Sequence, residues 1–448
     1  MSSAIDLLVP LLLLVGAVFL SLRLSQFPVL AAALITTTPI MIIFVATTPG
    51  FQFGGLNIYY EDIVSLVLLS QAAYRIPTLK KWNGAHALYA LFAIFTIMIL
   101  VSVLRGAMAI PIKTVIVETR TWLFPVSTIY YFTSVKLTRE QFDKVGTVIE
   151  WSCLILVLIT VFRYGLLATG HVIQFSDADT EEVHRPVPSG TAMFMASSVL
   201  FIWYRIATGK ASIAGKLCAT ILPLLVVALQ HRSVWSAFIV MLLLAVFFGG
   251  EIRKRARIFV AFCAALLLAL VVFAPDSGEA KSLQTSVATS HGSDSTIGWR
   301  EQSWTALLQP SFVGAPINYV VGKPMGASFR RKLTLGKNSY WTEVSPHNNY
   351  VIQVLRIGLV GLSAFIGFMS LLLFRLWRMN TDESKILAFI SLGVMFYWVA
   401  YVFDEPQGFY IALGLRLLIG FTPQELAAPV IASLARVRGT NLSAGAVE

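Results

Sequence analysis

The sequence predicts an all-α protein: a polytopic transmembrane helical bundle of twelve or thirteen spans with one long, partly helical outer loop. Three observations predict it. Of 448 residues, 57% are hydrophobic and 13% charged, and the mean hydropathy is +0.76; soluble domains run near 45–50% apolar and about 25% charged. Apolar runs able to cross about 30 Å of hydrocarbon recur along the whole chain. Lys and Arg are divided unevenly between alternate connections. Such a composition leaves too little polar side chain to cover a globule in water. It excludes a cytosolic enzyme, a disordered chain, a fibrous repeat and a disulfide-stapled secreted domain.

Taken in order, the runs are 5–21, 28–48, 58–74, 85–104, 114–133, 145–168, 190–207, 214–230, 233–249, 258–274, 348–374, 386–403 and 408–420. The third and last are short, which is why the count is twelve or thirteen. The first run does not read as a signal peptide, because no Lys or Arg precedes it and further spans follow. Three regions result: N-terminal helices over 1–189, a core over 190–403 that includes the loop 275–346, and a short span with a tail over 404–448.

Orientation follows from the basic residues. One set of connections, from Arg23 to Arg438, holds nineteen Lys and Arg; the short loops on the other side hold only Arg105, Lys113, Arg185 and Arg232. The rich side is expected to face the cytoplasm, as is the C-terminus. The net charge of +11 is thereby assigned to cytoplasmic loops, and nucleic acid is not expected as a partner. Cys153, Cys218 and Cys263 all lie in apolar runs with no metal spacing, and they read as small apolar residues.

Three features then fall outside: the loop 169–189 with Asp177, Asp179, Glu181, Glu182, His184 and Arg185; the turn Gln230-His231-Arg232-Ser233; and the segment 275–346. Arg232 sits between two apolar runs, at the outer membrane boundary, where a guanidinium either snorkels or meets an anion. Arg300 lies in a short amphipathic helix expected over 296–309, with Trp304 four residues on and on the same face. His347 follows Ser345 and Pro346 and precedes a long span. With Ser345 as N-cap, His347 falls in the first turn, where the positive end of the helix dipole favours a neutral imidazole, the form a general base needs. Arg120, Arg163, Arg356 and Arg416 fall inside spans and read as structural or cavity-lining. Asp404-Glu405-Pro406 reads as a solvated turn, and the acidic cluster 177–182 has no recognisable cation-ligand pattern. There is no Walker A loop, no HExxH and no GxSxG in a strand–helix setting, and no cofactor is expected.

Together these residues resemble the O-antigen ligase and polysaccharide polymerase superfamily of bacterial inner-membrane glycosyltransferases. The resemblance rests on His231-Arg232-Ser233-Val234-Trp235 at the start of a span. It rests also on Gly298-Trp299-Arg300 with Trp304, followed by Val321-Gly322-Lys323-Pro324-Met325-Gly326. Its most specific part is His347-Asn348, nine residues, then Gly358-Leu359-Val360-Gly361. It covers roughly 190–375.

The resemblance implies transfer of an oligosaccharide from an undecaprenyl-diphosphate carrier to an acceptor glycan on the periplasmic face, with inversion and without a metal. His347 would be catalytic; Arg232, Arg300 and Arg185 would hold the diphosphate; Asn348 and Trp304 would position the acceptor. The implied partners are the carrier-linked oligosaccharide, an acceptor glycan or lipid A–core, membrane lipid and envelope polysaccharide-assembly proteins. The turn reads Gln-His-Arg-Ser where the ligases commonly have a Ser-Arg-Gly type, and the ligases are usually drawn with twelve spans and an inside N-terminus. The reading therefore leans to a repeat-unit polymerase of O-antigen or exopolysaccharide, with O-antigen ligase as the alternative. A lipid-linked glycan flippase is the competing class; it would be expected to show two related halves with broken helices at mid-membrane. A non-enzymatic envelope scaffold would not require Arg232, Arg300 and His347 to meet.

Overall fold

A computed structural model describes residues 27–45, 50–53, 56–75, 85–169, 186–273, 296–335, 338–403 and 407–421, together with Val15 and Phe19. The rest of the run 5–21 and the loop residues 170–185 lie outside these, as do 404–406 and the tail from 422.

The protein is an all-α polytopic membrane bundle. Twelve of the apolar runs are helices: α1 (Pro28–Val45), α2 (Tyr60–Tyr74), α3 (His86–Ala109), α4 (Ile112–Ser134), α5 (Arg139–Ala168), α6 (Ser189–Ala207), α7 (Ile213–Ala228), α8 (Arg232–Phe248), α9 (Arg253–Phe273), α13 (Asn349–Met379), α14 (Asp382–Tyr397) and α15 (Gln407–Ile419). Between α9 and α13 lie three short helices, α10 (Thr296–Leu308), α11 (Pro310–Val313) and α12 (Ile317–Val321), then a hairpin of β3 (Arg331–Leu335) and β4 (Asn338–Thr342). A smaller hairpin, β1 (Gly50–Phe53) with β2 (Leu56–Tyr59), precedes α2. The long loop is thus partly helical over its described residues, as expected.

The helices differ in how far they reach. Among the described residues four helices, α3, α5, α6 and α13, are each long and apolar enough to cross a membrane alone. Helix α8 and the start of α9 qualify only jointly, across a bend of 105°. Its corner is Gly249–Gly250, where Gly250 has φ 51° and a Cβ would sit 2.1 Å from Asp382 Oδ1. The shorter apolar helices include α1, α7 and α15. At 1.5 Å per residue, the 13 residues of α15 reach about 20 Å, short of the hydrocarbon thickness.

Local chemistry sets the helix starts. Thr138 accepts from Gln141 N–H at 3.2 Å while Gln141 Oε1 accepts from Thr138 N–H at 3.0 Å, a reciprocal cap for α5. Ser212 and Thr381 cap α7 and α14 in the simpler way. The core is aromatic where α3, α13 and α14 meet: Phe92 and Phe95 pack on Phe368 and Phe365, and Phe365 packs on Trp398.

Two ion pairs with buried members lie at the end opposite the candidate site. Arg205 donates to Glu150 at 2.7 Å, and Glu150 also accepts from Ser212 N–H at 2.8 Å. Gly146 and Gly215 make room for that pair, since a Cβ at Gly146 would lie 2.3 Å from Arg205. Arg139 forks onto Glu383 at 2.6 and 2.8 Å. These bonds tie α5, α6, α7 and α14 together near the segments that carry most of the Lys and Arg.

Candidate functional site

The site is built around the start of α13. Asn348 is its N-cap, with Oδ1 accepting from Val351 N–H at 3.0 Å. Asn349 N–H donates to Trp398 O and Tyr401 O, which pins the helix start to the end of α14. This corrects the expectation that Ser345 caps the helix and that His347 lies in its first turn. The carboxamide of Asn348 is as good a cap as a serine hydroxyl, and the chain reaches it through a left-handed residue, His347, at φ 47°. His347 stands one position before the cap.

Left-handed backbone costs a residue with a Cβ about 1–2 kcal/mol. Among the described residues three non-glycines adopt it: Gln230, His347 and Asn380. Asn380 ends α13 as a C-cap, whereas the other two stand beside the residues singled out from the sequence. Gln230 precedes His231-Arg232, the cap and first residue of α8. His231 is 1% exposed and donates through Nε2 to Val187 O at 2.9 Å. Trp235 closes the same turn by donating back to Val226 O and Val227 O.

One ring joins the candidate groups. Arg300 Cζ lies 5.5 Å from the centroid of Tyr401, and the His347 ring lies 6.3 Å from it, edge-on at 70°. Those two distances hold the Arg300 guanidinium within about 12 Å of the imidazole. Trp304, on the same stripe of α10 as Arg300, donates from Nε1 to Pro346 O at 2.7 Å, one residue before His347. Beneath it Leu307 packs with Val313, Val351 and Leu355, docking α10 on α13. Tyr401 stacks on Tyr397 at 4.9 Å, and Tyr397 donates to Ser189 Oγ at 3.1 Å.

The structure therefore brings Arg300, Trp304, His347 and Asn348 together. Arg232 stands at the same end of the bundle with an exposed side chain; its backbone is joined to the cluster through His231, Val187, Ser189 and the tyrosine stack. Arg185 lies outside the described residues, as do the acidic cluster 177–182 and Asp404-Glu405. Sequence reasoning missed Tyr401. Its only signal there was the spacing of two tyrosines at 397 and 401, indistinguishable from core packing.

The Gly358 motif has a structural meaning. Gly358 has φ 67° and ψ −175°, which breaks α13 into two helical pieces. The segment 318–327 is inserted at that break. Lys323 N–H donates to Leu355 O, Met325 N–H donates to Ser102 O at 3.0 Å, and Arg105 donates to Gly322 O at 2.7 Å and Asn318 Oδ1 at 3.0 Å. Three glycines allow the approach: a Cβ would lie 2.1 Å from Val320 O at Gly358, 2.2 Å from Arg356 C at Gly322 and 2.3 Å from Met325 O at Gly106. Glu118 of α4 locks the insertion, accepting from Gly326 N–H at 2.6 Å and from Arg356 Nε at 2.5 Å. Burial pulls the Lys323 ammonium below the ordinary lysine range, and Arg356 adds to the effect.

The arginines inside helices have partners within the protein: Arg356 with Glu118 and Ala327 O, Arg120 with Asp62 at 2.9 Å, Arg163 with Ile43 O and Arg416 with Leu137 O. This is the structural role expected of them. Cys153, Cys218 and Cys263 are free thiols. Among the described residues no three of His, Cys, Asp and Glu converge as a metal-binding set. No family model matches the chain, and no curated protein matches it.

Proposed function

We propose that the protein is an integral-membrane glycosyltransferase of the bacterial inner membrane. It moves an oligosaccharide from an undecaprenyl-diphosphate carrier to an acceptor glycan at the periplasmic face. The observation that carries this reading is the meeting of Arg300 and His347 on Tyr401, at the end of the bundle where Arg232 also opens a helix.

The chemistry follows from those groups. The acceptor hydroxyl attacks the anomeric carbon of the carrier-linked sugar, and its proton passes to His347. The bond from that carbon to the phosphate oxygen breaks, and undecaprenyl diphosphate leaves. Attack opposite the leaving group inverts the anomeric centre. Negative charge grows on the departing diphosphate, where guanidinium groups held in place stabilise it. Arg300 supplies one, with Arg232 and Arg185 completing the clamp, while Asn348 and Trp304 position the acceptor. The strained backbone of His347 accords with a residue held for use rather than for packing.

The reading is a repeat-unit polymerase of O-antigen or exopolysaccharide, working beside envelope polysaccharide-assembly proteins. Purified protein supplied with a carrier-linked repeat unit alone is expected to lengthen the glycan. A product formed only after lipid A–core is added would make it a ligase, and no transfer to any acceptor would reject the enzyme.

A further inference from the structure

We propose that Arg331 is a further phosphate-binding residue, gripping a phosphate beside the His347 turn through the side-on fork of its guanidinium; this rests on the reading of a diphosphate-linked donor. Arg331 opens β3, and its side chain is 3% exposed. Nη1 donates to Phe329 O at 2.9 Å and to Val344 O at 2.8 Å. Val344 lies three residues before His347, and Pro346, between them, accepts from Trp304. Strand β3 packs on α10, the helix of Arg300. Arg331 is thus built into the frame that holds the candidate site.

Its other two nitrogens, Nε and Nη2, are buried and have no hydrogen-bond partner. Those N–H groups leave the same edge of the planar guanidinium, as the two prongs that meet a pair of carboxylate or phosphate oxygens. A buried cation without a counter-charge costs several kcal/mol. Buried Arg205 and Arg356 have Glu150 and Glu118 opposite them, whereas Arg416, inside α15, rests like Arg331 on a backbone carbonyl and keeps one nitrogen without a partner. Arg331 has no carboxylate among the described residues, and Glu343 of the neighbouring strand end lies toward exposed Arg330 instead. Burial drags the Arg331 guanidinium down to about 10, with Tyr340 pulling the other way. Two more buried donors without partners, Arg300 Nε and Ser303 Oγ, lie on the helix that β3 packs against. An anion with two oxygens satisfies the two prongs of Arg331 and supplies the missing charge; water satisfies the hydrogen bonds and leaves the charge.

The carrier and a phospholipid headgroup are the two sources of phosphate that the proposal distinguishes. The test uses full-length protein and the variant Arg331→Lys. The lysine keeps a charge and one amine for the two carbonyls, and it removes the fork. Affinities are measured for undecaprenyl diphosphate, for undecaprenol and for phosphatidylglycerol in nanodiscs, beside the melting midpoint without ligand. The expected result is a loss of about tenfold or more for undecaprenyl diphosphate, with undecaprenol and the unliganded midpoint unchanged. A loss confined to phosphatidylglycerol keeps the fork and overturns the donor as its source. Equal affinities in both proteins overturn the proposal and leave the glycosyltransferase reading standing, whereas a wild type that does not bind undecaprenyl diphosphate overturns both. If the lysine variant folds poorly, hydrogen exchange on the wild type decides. Undecaprenyl diphosphate but not undecaprenol is expected to slow exchange over 329–346, and equal protection by both rejects the site.

Discussion

Replacing Gly358 by alanine tests the architecture that holds the site. Its φ of 67° with ψ −175° is a region open to glycine and closed to residues with a Cβ. Holding alanine there costs about 1–3 kcal/mol in backbone strain. The new methyl would also lie 2.1 Å from Val320 O and 2.3 Å from Val320 C, backbone atoms that cannot swing aside. Pushing the inserted segment away adds an overpacking cost of about 1–3 kcal/mol. The sum, about 2–6 kcal/mol, is a large share of the stability of a domain. The matched control is Gly165→Ala in α5, where nothing lies within 4 Å of the added Cβ. There alanine should stabilise by roughly 0.5–1 kcal/mol, because the helix interior disfavours glycine. The assay is the melting midpoint of each purified variant in one detergent, followed by glycan transfer. Gly358→Ala is expected to melt well below the wild type and to lose transfer, since the first nine residues of α13 carry the turn at His347. Gly165→Ala is expected to melt at or above the wild type and to keep transfer. A Gly358→Ala protein that melts with the wild type would refute the insertion at the break.

His347→Ala and Arg232→Ala are each expected to abolish transfer while the protein still accumulates in the membrane; full activity in either one rejects the role assigned to that residue. Tyr401→Phe keeps the ring between Arg300 and His347 and should keep most transfer, whereas Tyr401→Leu should lower it at least tenfold with the melting midpoint little changed; equal activity in both would show that the ring does not organise the site. Glu150→Gln strands the buried Arg205 guanidinium and should cost about 3–5 kcal/mol by the penalty on an unpaired buried charge, read as a lowered melting midpoint; a midpoint equal to wild type would count against that pair as a structural anchor.

Much of this protein is decided locally. Helix hydrogen bonds close within four residues, so an apolar run between polar connections is enough to specify α1 to α9 and α13 to α15, and the capping pair Thr138–Gln141 can be read directly. Trp304 and Arg300 share a helix face for the same reason. The sequence also marks His347 and Arg232 as unusual, because each is a polar group at the edge of an apolar run, and Arg300, because it shares a face with Trp304 on an amphipathic stretch of the outer loop.

What the chain alone left open was partnership. Arg105 meets Gly322 across 217 residues, Glu118 meets Arg356 across 238, and Tyr401 gathers two residues from separate segments. Such contacts carry no periodic signal, since they depend on how helices pack and not on what each helix is. Only the packed bundle makes Gly358 a socket, moves the cap of α13 from Ser345 to Asn348, and leaves the Arg331 fork buried and empty-handed. Hydropathy governs where the helices form; the close approach of backbones at glycine and the pairing of buried charge govern where the chemistry sits.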